Sequence, residues 1–263
     1  MIIDVHAHLT DDLDRRLADD ARAGIAATVL LSTRVHPERA RTIDQVRAEY
    51  AGLQRTVAGA DGAGAAFTPG LTELLAALDA HPGRVLGMAA APLDLPPATL
   101  LPFVDRQLSR RDVVGIGELV PVPGRVETIR PVVRLADDHG GLPVLVHGFA
   151  PHTEDDLHGY AAVARAHPGV PIVIGAFGGL HAMTAVDLAL AVPNLWLDLS
   201  SALQAFVVRA AAHELPDRCL FGSNTPYGVP AAALATVEHA VTDPGVRAAV
   251  LGGNAERLLA PRN

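Results

Sequence analysis

The chain has 263 residues, a formal net charge of −8, 49% hydrophobic residues and one cysteine, Cys219. This composition is that of a globular protein, and one cysteine excludes both a disulfide framework and a multi-cysteine zinc site. The acidic balance argues against a nucleic-acid-binding surface, and no apolar run reaches the ~18 residues of a membrane span. The first residues lack the features of a signal peptide, so we expect a reduced, cytoplasmic protein.

Eight short apolar runs, rich in Val, Ile and Leu, recur along the chain between amphipathic stretches of helical period. Nearly continuous apolar runs are typical of parallel strands that are buried on both faces. The runs cover residues 2–9, 26–32, 85–93, 113–119, 143–149, 171–177, 195–200 and 219–223. Eight strand–helix units in about 250 residues predict an α/β fold of the (β/α)8 TIM-barrel class, as a single domain. The alternative is an open doubly wound sheet, but the sequence has neither a Gly-x-Gly-x-x-Gly turn nor any Lys for a phosphate-binding loop.

One Gly- and Ala-rich stretch, residues 51–69, interrupts this pattern between helices predicted at 37–50 and 71–80. It follows the second strand, on the face of a barrel that carries active sites. We interpret it as an insertion in the 1–263 domain and as a candidate lid, with a plain flexible loop as the alternative.

Polar residues stand at the ends of several predicted strands, where a barrel carries its chemistry. His6 and His8 alternate along the first strand, so both should face the barrel mouth, and alternation puts Asp4 on the same face. Two imidazoles at this spacing can clamp a divalent metal ion, and the alternative is a pair of structural histidines. Glu118 and His147 end the fourth and fifth strands. The predicted metal ligands are therefore His6, His8, Glu118 and His147.

Further candidates follow other strands. Asn224 ends the eighth strand and can orient a substrate or a water, although a neutral amide cannot act as a general base. Arg34 and His36 follow the second strand and are candidates to bind a substrate carboxylate, with a solvated loop as the alternative. His152 and His158 fall at the start of a predicted helix and are expected at the surface. Three aromatic residues either line an apolar substrate pocket or belong to the core: Phe149, Phe177 and Tyr227.

These motifs resemble those of the amidohydrolase superfamily of metal-dependent barrels. The family's Asp-x-His-x-His opening matches residues 4–8, its Gly-x-Gly-Glu matches residues 115–118, its strand-five His matches His147, and its terminal Gly-Asn-Ala-x-Arg-Leu matches residues 253–258. The sequence looks closest to the branch of aminocarboxymuconate-semialdehyde decarboxylase-like enzymes and lactone and ester hydrolases, and somewhat like the metal-dependent DNases. The resemblance implies an enzyme with a divalent metal, zinc or alternatively manganese, and a small-molecule substrate. Dimers are common in this family, so it also implies a homodimer.

The chain departs from the family pattern at two positions. Ala176 stands where relatives have a strand-six His that binds metal or polarises the substrate, and Asn224 stands where they have a metal-binding, proton-transferring Asp. His181, five residues past Ala176, is a catalytic candidate that can reach back, with an exposed loop His as the alternative. Some relatives bridge two metals with a carbamylated Lys at strand four. This chain has no Lys, and Glu118 offers a carboxylate in the corresponding place.

Three functions stay open at this point. The first is a single-metal enzyme that hydrolyses an ester, lactone or amide, or decarboxylates a small organic acid without oxidation, with Glu118 as a ligand or the base. The second is a diverged barrel enzyme that catalyses an isomerisation, elimination or rearrangement in a biosynthetic pathway, with Asn224 orienting the substrate. The third is a non-catalytic binding barrel.

Overall fold

A computed structural model describes residues 1–33, 35–57 and 67–260. Within these ranges eight parallel strands pair in chain order in one sheet. They are β1 Ile2–His8, β2 Ile25–Leu31, β3 Val85–Ala89, β4 Val113–Leu119, β5 Val144–Val146, β6 Ile172–Ile174, β7 Leu195–Asp198 and β8 Cys219–Leu220. Backbone hydrogen bonds from Val5 N to Phe221 O (3.0 Å) and from His8 N to Thr225 O (2.7 Å) join the first strand to the segment at the last. The (β/α)8 barrel predicted from the sequence is confirmed.

Helices connect the strands and cover the outside of the barrel. They are α1 Leu13–Arg22, α2 Ile43–Val57, α3 Phe67–Ala80, α4 Pro97–Leu108, α5 Arg130–Asp138, α6 Glu154–Ala166, α7 Ala182–Ala191, α8 Ala205–Glu214, α9 Pro230–Ala240, α10 Pro244–Ala248 and α11 Asn254–Leu258. The helices on either side of the predicted insertion reach further into it than the sequence indicated, to Val57 and from Phe67. Residues 58–66 of that insertion, and the substrate-binding candidate Arg34, lie outside the described residues. No helix in the described ranges is both long and apolar enough to cross a membrane.

Buried apolar side chains form two clusters, one on each face of the strands. The inner cluster fills the barrel with residues such as Val5, Val29 and Leu145, and α11 contributes Leu258. The outer cluster packs the strands against the helices. On β7 the alternation is regular. Leu195 and Leu197 belong to the outer cluster, so Trp196 and Asp198 face the inside.

A β-bulge interrupts this alternation on β1. Asp4 pairs with Thr28 of β2, but the next pair on the same side is Ala7 with Leu30, so three steps on β1 match two on β2. Bulges of this kind re-aim side chains next to active sites. Asp4 therefore faces outward, towards α1, while the histidines beyond the bulge face the barrel mouth. The prediction that Asp4 shares a face with His6 and His8 was wrong, because it assumed an unbroken alternation.

A second bulge lies on β4, where Ile116 pairs with Val144 and Leu119 with Val146. Ile116 and Leu119 both belong to the outer cluster, so the two residues between them turn Glu118 towards the inside. Gly117 makes this possible, since its φ of 153° is unfavourable for other residues and a Cβ there would lie 2.7 Å from the carbonyl oxygen of Leu145. Two of the three strands that carry predicted ligands, β1 and β4, thus contain a bulge.

Candidate metal centre

Three of the four predicted ligands converge at the mouth of the barrel. One ligand atom each from His6, His8 and Glu118 lie within 4.8 Å of one another. His6 is buried, and the His8 and Glu118 side chains are only 12% and 11% exposed. Two imidazoles and a carboxylate form a donor set that suits zinc or manganese. The described residues therefore contain a group that can hold one divalent metal ion.

His6 is held from behind by a carboxylate on β7. Its Nδ1 lies 2.6 Å from Oδ2 of Asp198, which is fully buried. Asp198 also accepts hydrogen bonds from the Ser200 hydroxyl at 2.6 Å and from the Ala176 backbone N–H at 3.0 Å. Burial tends to lower the pKa of His6, but the neighbouring Asp198 charge outweighs this effect and raises the pKa to about 9.

The fourth predicted ligand adjoins the group through Glu118. His147 Nδ1 lies 2.9 Å from Oε1 of Glu118, while Oε2 of Glu118 is 4.0 Å from Nε2 of His8. Burial tends to raise the pKa of Glu118, but His147 and the other two imidazoles outweigh it and hold that pKa well below its usual range. Glu118 is therefore an ionised carboxylate with one oxygen bonded to His147 and the other facing His8.

Two unpartnered nitrogen atoms test whether these residues suit a metal. Nε2 of His6 and Nε2 of His147 are both buried and have no hydrogen-bond partner. Buried polar atoms without a partner are rare because each costs about 1–3 kcal/mol. On His6 the free nitrogen is the one opposite the Asp198 contact, as in metal-binding histidines whose other nitrogen is bonded to a carboxylate. The donor set and these free atoms fit a divalent ion.

The surroundings of His8 keep its imidazole uncharged. Its burial and the nearby His6 lower its pKa to about 4. Tyr227 packs edge-on against its ring, with ring centres 5.4 Å apart. His8 is therefore neutral near pH 7, which is the form that binds a metal, whereas His6 gives up its Nε2 proton when a metal binds.

Asn224 stands beside this group after β8. Its backbone N–H donates to the carbonyl oxygen of His6 at 2.7 Å, and its side-chain Nδ2 donates to Ser201 Oγ at 2.9 Å. Asn224 and Ser201 both have a positive φ, 53° and 55°. With Nδ2 engaged, Oδ1 of Asn224 is the atom that can accept a hydrogen bond from a substrate.

The remaining candidates lie in different surroundings. His36 contacts Glu38 at 3.1 Å and Glu73 at 3.6 Å, and His181 contacts Glu154 at 3.4 Å. Phe177 is fully buried in the outer cluster, which is the core-packing alternative that the sequence left open. Phe149 is partly buried and lies against Gly179.

Two features were missed or misjudged from the sequence. Asp198 was not recognised, although regular alternation along the apolar run of β7 places it inside the barrel. His152 was expected at the surface but is only 3% exposed, because the turn before α6 folds its ring against His147 and Tyr160. Burial lowers the pKa of His152 to about 4. His158 is exposed, as expected.

Comparison with known proteins agrees with this fold. A family model described as Amidohydrolase matches residues 3–260. No curated protein matches the sequence. Among solved structures, 2,6-dihydroxybenzoate decarboxylase from Rhizobium has a TM-score of 0.69 at 14% identity, covering 98% of each chain. A putative 2-pyrone-4,6-dicarboxylic acid hydrolase from Pseudomonas putida has a TM-score of 0.61 at 20% identity, covering 98% of this chain and 97% of the other.

A third solved structure contains a metal. The dihydroxybenzoic acid decarboxylase from Polaromonas sp. JS666, with bound manganese and the inhibitor 2-nitroresorcinol, has a TM-score of 0.64 at 15% identity. It covers 98% of this chain and 96% of its own. Since the family model spans almost the full length, the chain belongs to the amidohydrolase family, and the resemblance drawn from its motifs is confirmed. The protein is an enzyme of the amidohydrolase type.

Proposed function

We propose that this enzyme uses one divalent metal ion to hydrolyse an ester, lactone or amide bond in a small organic acid. The observation that carries this proposal is the buried convergence of His6, His8 and Glu118 within 4.8 Å. These three residues would hold the ion, for which we propose zinc, with manganese as the alternative. When bound, the ion would polarise a substrate carbonyl and lower the pKa of the attacking water.

We assign proton transfer to His147. Its Nδ1 is already bonded to Glu118, and its Nε2 is buried and unpartnered, so Nε2 can take a proton from the attacking water. Glu118 then stabilises the resulting imidazolium through Oε1 and holds the ring in one orientation. The alternative is that His147 is a fourth metal ligand, as predicted from the sequence. The metal content of a His147→Ala variant decides between these two roles.

The substrate side of the site is built by neutral groups. Asn224 Oδ1 would accept a hydrogen bond from the substrate, with Ser201 fixing the amide, and Tyr227 and Phe149 would supply apolar contact. Arg34, His36, Phe177 and His181 stay predictions without a role in this scheme. A homodimer also stays a prediction.

Non-oxidative decarboxylation is the second candidate. It is supported by the fold shared with two decarboxylases of hydroxylated benzoic acids, and by Asn224, whose amide cannot take the proton that an Asp at the same place would. Hydroxylated benzoic acids are therefore the probes for this reaction, and a panel of esters and lactones is the probe for hydrolysis. Turnover of the benzoic acids alone would reject hydrolysis in favour of decarboxylation.

Metal content tests the proposal directly. We expect elemental analysis of protein expressed with added zinc to find about one metal per chain, and a value below ~0.2 would reject it. His6→Ala and Glu118→Gln should lose the metal. His147→Ala should keep it and lose activity by about 10²–10⁴-fold, the usual contribution of a general base. Loss of metal in His147→Ala would instead make His147 a ligand.

A further inference from the structure

Asp198 accepts four hydrogen bonds at the barrel mouth. Oδ2 accepts from His6 Nδ1, from the Ser200 hydroxyl and from the Ala176 backbone N–H, and Oδ1 accepts from the Ser200 backbone N–H at 2.9 Å. The carboxylate is completely buried. Because its oxygens are occupied by these donors, Asp198 acts on the site through His6 and not by touching a substrate.

The contact dictates which nitrogen of His6 carries a proton. The backbone N–H groups of Ala176 and Ser200 can only donate, so both oxygens of Asp198 act as acceptors, and Nδ1 of His6 is the donor across the 2.6 Å contact. Metal binding then falls to Nε2, the buried nitrogen that has no partner. We propose that Asp198 is the positioning residue that fixes His6 with Nδ1 protonated and Nε2 directed at the metal ion. This inference rests on the proposed metal-dependent function.

Two strand ends are shaped to accommodate this carboxylate. After β6, Ala176 has a φ of 49°, and its backbone N–H points at Asp198. After β8, a Cβ on Gly222 would lie only 2.1 Å from Asp198 Oδ1, so no larger residue fits without displacing it. At the end of strand eight, this chain has Asn224 where the family it resembles has an Asp. Besides Glu118, this mouth has a buried carboxylate on β7, Asp198, and it acts through a histidine.

Asp198→Ala and Asp198→Asn separate the two parts of this role. Alanine removes the acceptor, so His6 loses its orientation. Asparagine keeps an oxygen acceptor, which should face His6 and Ala176, because their N–H donors both converge on the Oδ2 position. The amide nitrogen is then left facing the Ser200 N–H. Asparagine thus keeps the tautomer and removes the charge.

Zinc affinity from chelator competition is the first measurement. We expect Asp198→Ala to weaken zinc binding by about 10–100-fold, the usual effect of losing a carboxylate bonded to a ligating histidine, and Asp198→Asn to weaken it several-fold. Asp20→Asn is the matched control, since Asp20 is equally buried but contacts Arg16 and Thr28 on the outer face. It should bind zinc within about twofold of wild type.

The ring proton of His6 is the second measurement, and it requires no metal. In ¹⁵N-histidine-labelled protein, the Nδ1–H signal of His6 should be downfield and protected in wild type and Asp198→Asn, and absent in Asp198→Ala. Wild-type zinc affinity or an unchanged His6 signal in Asp198→Ala would overturn the proposal. If Asp198→Ala does not fold, the His6 signal in Asp198→Asn decides, because its absence there would show that the Asp198 contact does not keep Nδ1 protonated. If wild type binds no metal, the proposed function fails, while the His6 signal still judges the role of Asp198.

Discussion

The two faces of β1 bury charged and polar side chains in very different ways. On the outer face, Asp4 accepts from Ser223 N and Oγ and from Arg16, which also reaches Asp20. On the inner face, His6 leaves a buried nitrogen without a partner, and so does its neighbour at the mouth, His147 after β5. Within the outer network, Oδ1 of Asp20 also has no partner.

This difference indicates what each face is for. A buried charge whose partners are all protein groups contributes to holding the strand in place, and removing one partner is costly. A buried nitrogen left free lowers stability until a ligand occupies it. We therefore expect outer-face variants to lose stability, and inner-face variants to lose metal binding.

Breaking the outer network should give the largest effect on stability. Arg16→Leu leaves Asp4 and Asp20 buried without their cation, so we expect the free energy of unfolding to fall by about 3–5 kcal/mol. The measurement is chemical denaturation. Arg22→Leu on the same helix is the control, since its pair with Asp19 is exposed and worth at most about 1 kcal/mol.

The inner-face counterpart of this variant is His8→Ala. Its imidazole is neutral near pH 7, so its removal strands no charge, and we expect a loss of stability of about 1 kcal/mol, well below that of Arg16→Leu, together with loss of the metal. The comparison fails if His8→Ala unfolds the protein as readily as Arg16→Leu, or if Arg16→Leu is as stable as wild type.

The sequence was sufficient for the strands but not for the direction of every side chain. Continuous apolar runs locate all eight strands, and simple alternation places His147 and Asp198 inside the barrel. It fails at Asp4, because the bulge between Asp4 and Ala7 depends on pairing with β2. Strand register is a property of two distant segments, so a local pattern cannot reveal it.

The contacts between site residues on different strands also cannot be read from a local sequence pattern. That Asp198 contacts His6 follows from the closure of the barrel, which brings β7 and β1 together across β8. Glu118 was correctly placed at the mouth, since an ionised carboxylate after an apolar strand must find a cation or a donor. That His147 is its donor appears only when β4 and β5 are in register.

Overpacking the inner face should give an intermediate effect. In Gly222→Ala the new methyl group collides with Asp198 and lies 3.0 Å from Cβ of His6. We expect the free energy of unfolding to fall by about 1–3 kcal/mol, and zinc affinity to fall with it, because both side chains must move. Denaturation and chelator competition measure the two effects.

Gly253→Ala controls for the substitution itself. Gly253 has helical backbone angles, and the nearest atom to an added Cβ is 3.7 Å away, so the change should be neutral or slightly stabilising. A Gly222→Ala variant with unchanged stability and zinc affinity would show that Asp198 and His6 are held less tightly than the structure indicates.

The smallest effects come from two serine hydroxyls in matching positions. Ser200 Oγ donates to Asp198 and Ser223 Oγ donates to Asp4, both at 2.6 Å and both buried. Each serine-to-alanine change removes one of several hydrogen bonds to a carboxylate, so we expect a similar loss of about 0.5–1.5 kcal/mol of stability in each. Only Ser200→Ala should also weaken zinc binding, by a few-fold, because only Asp198 is bonded to a metal-facing histidine. Equal zinc affinities in the two variants would mean that the inner carboxylate, like the outer one, merely holds its strand in place.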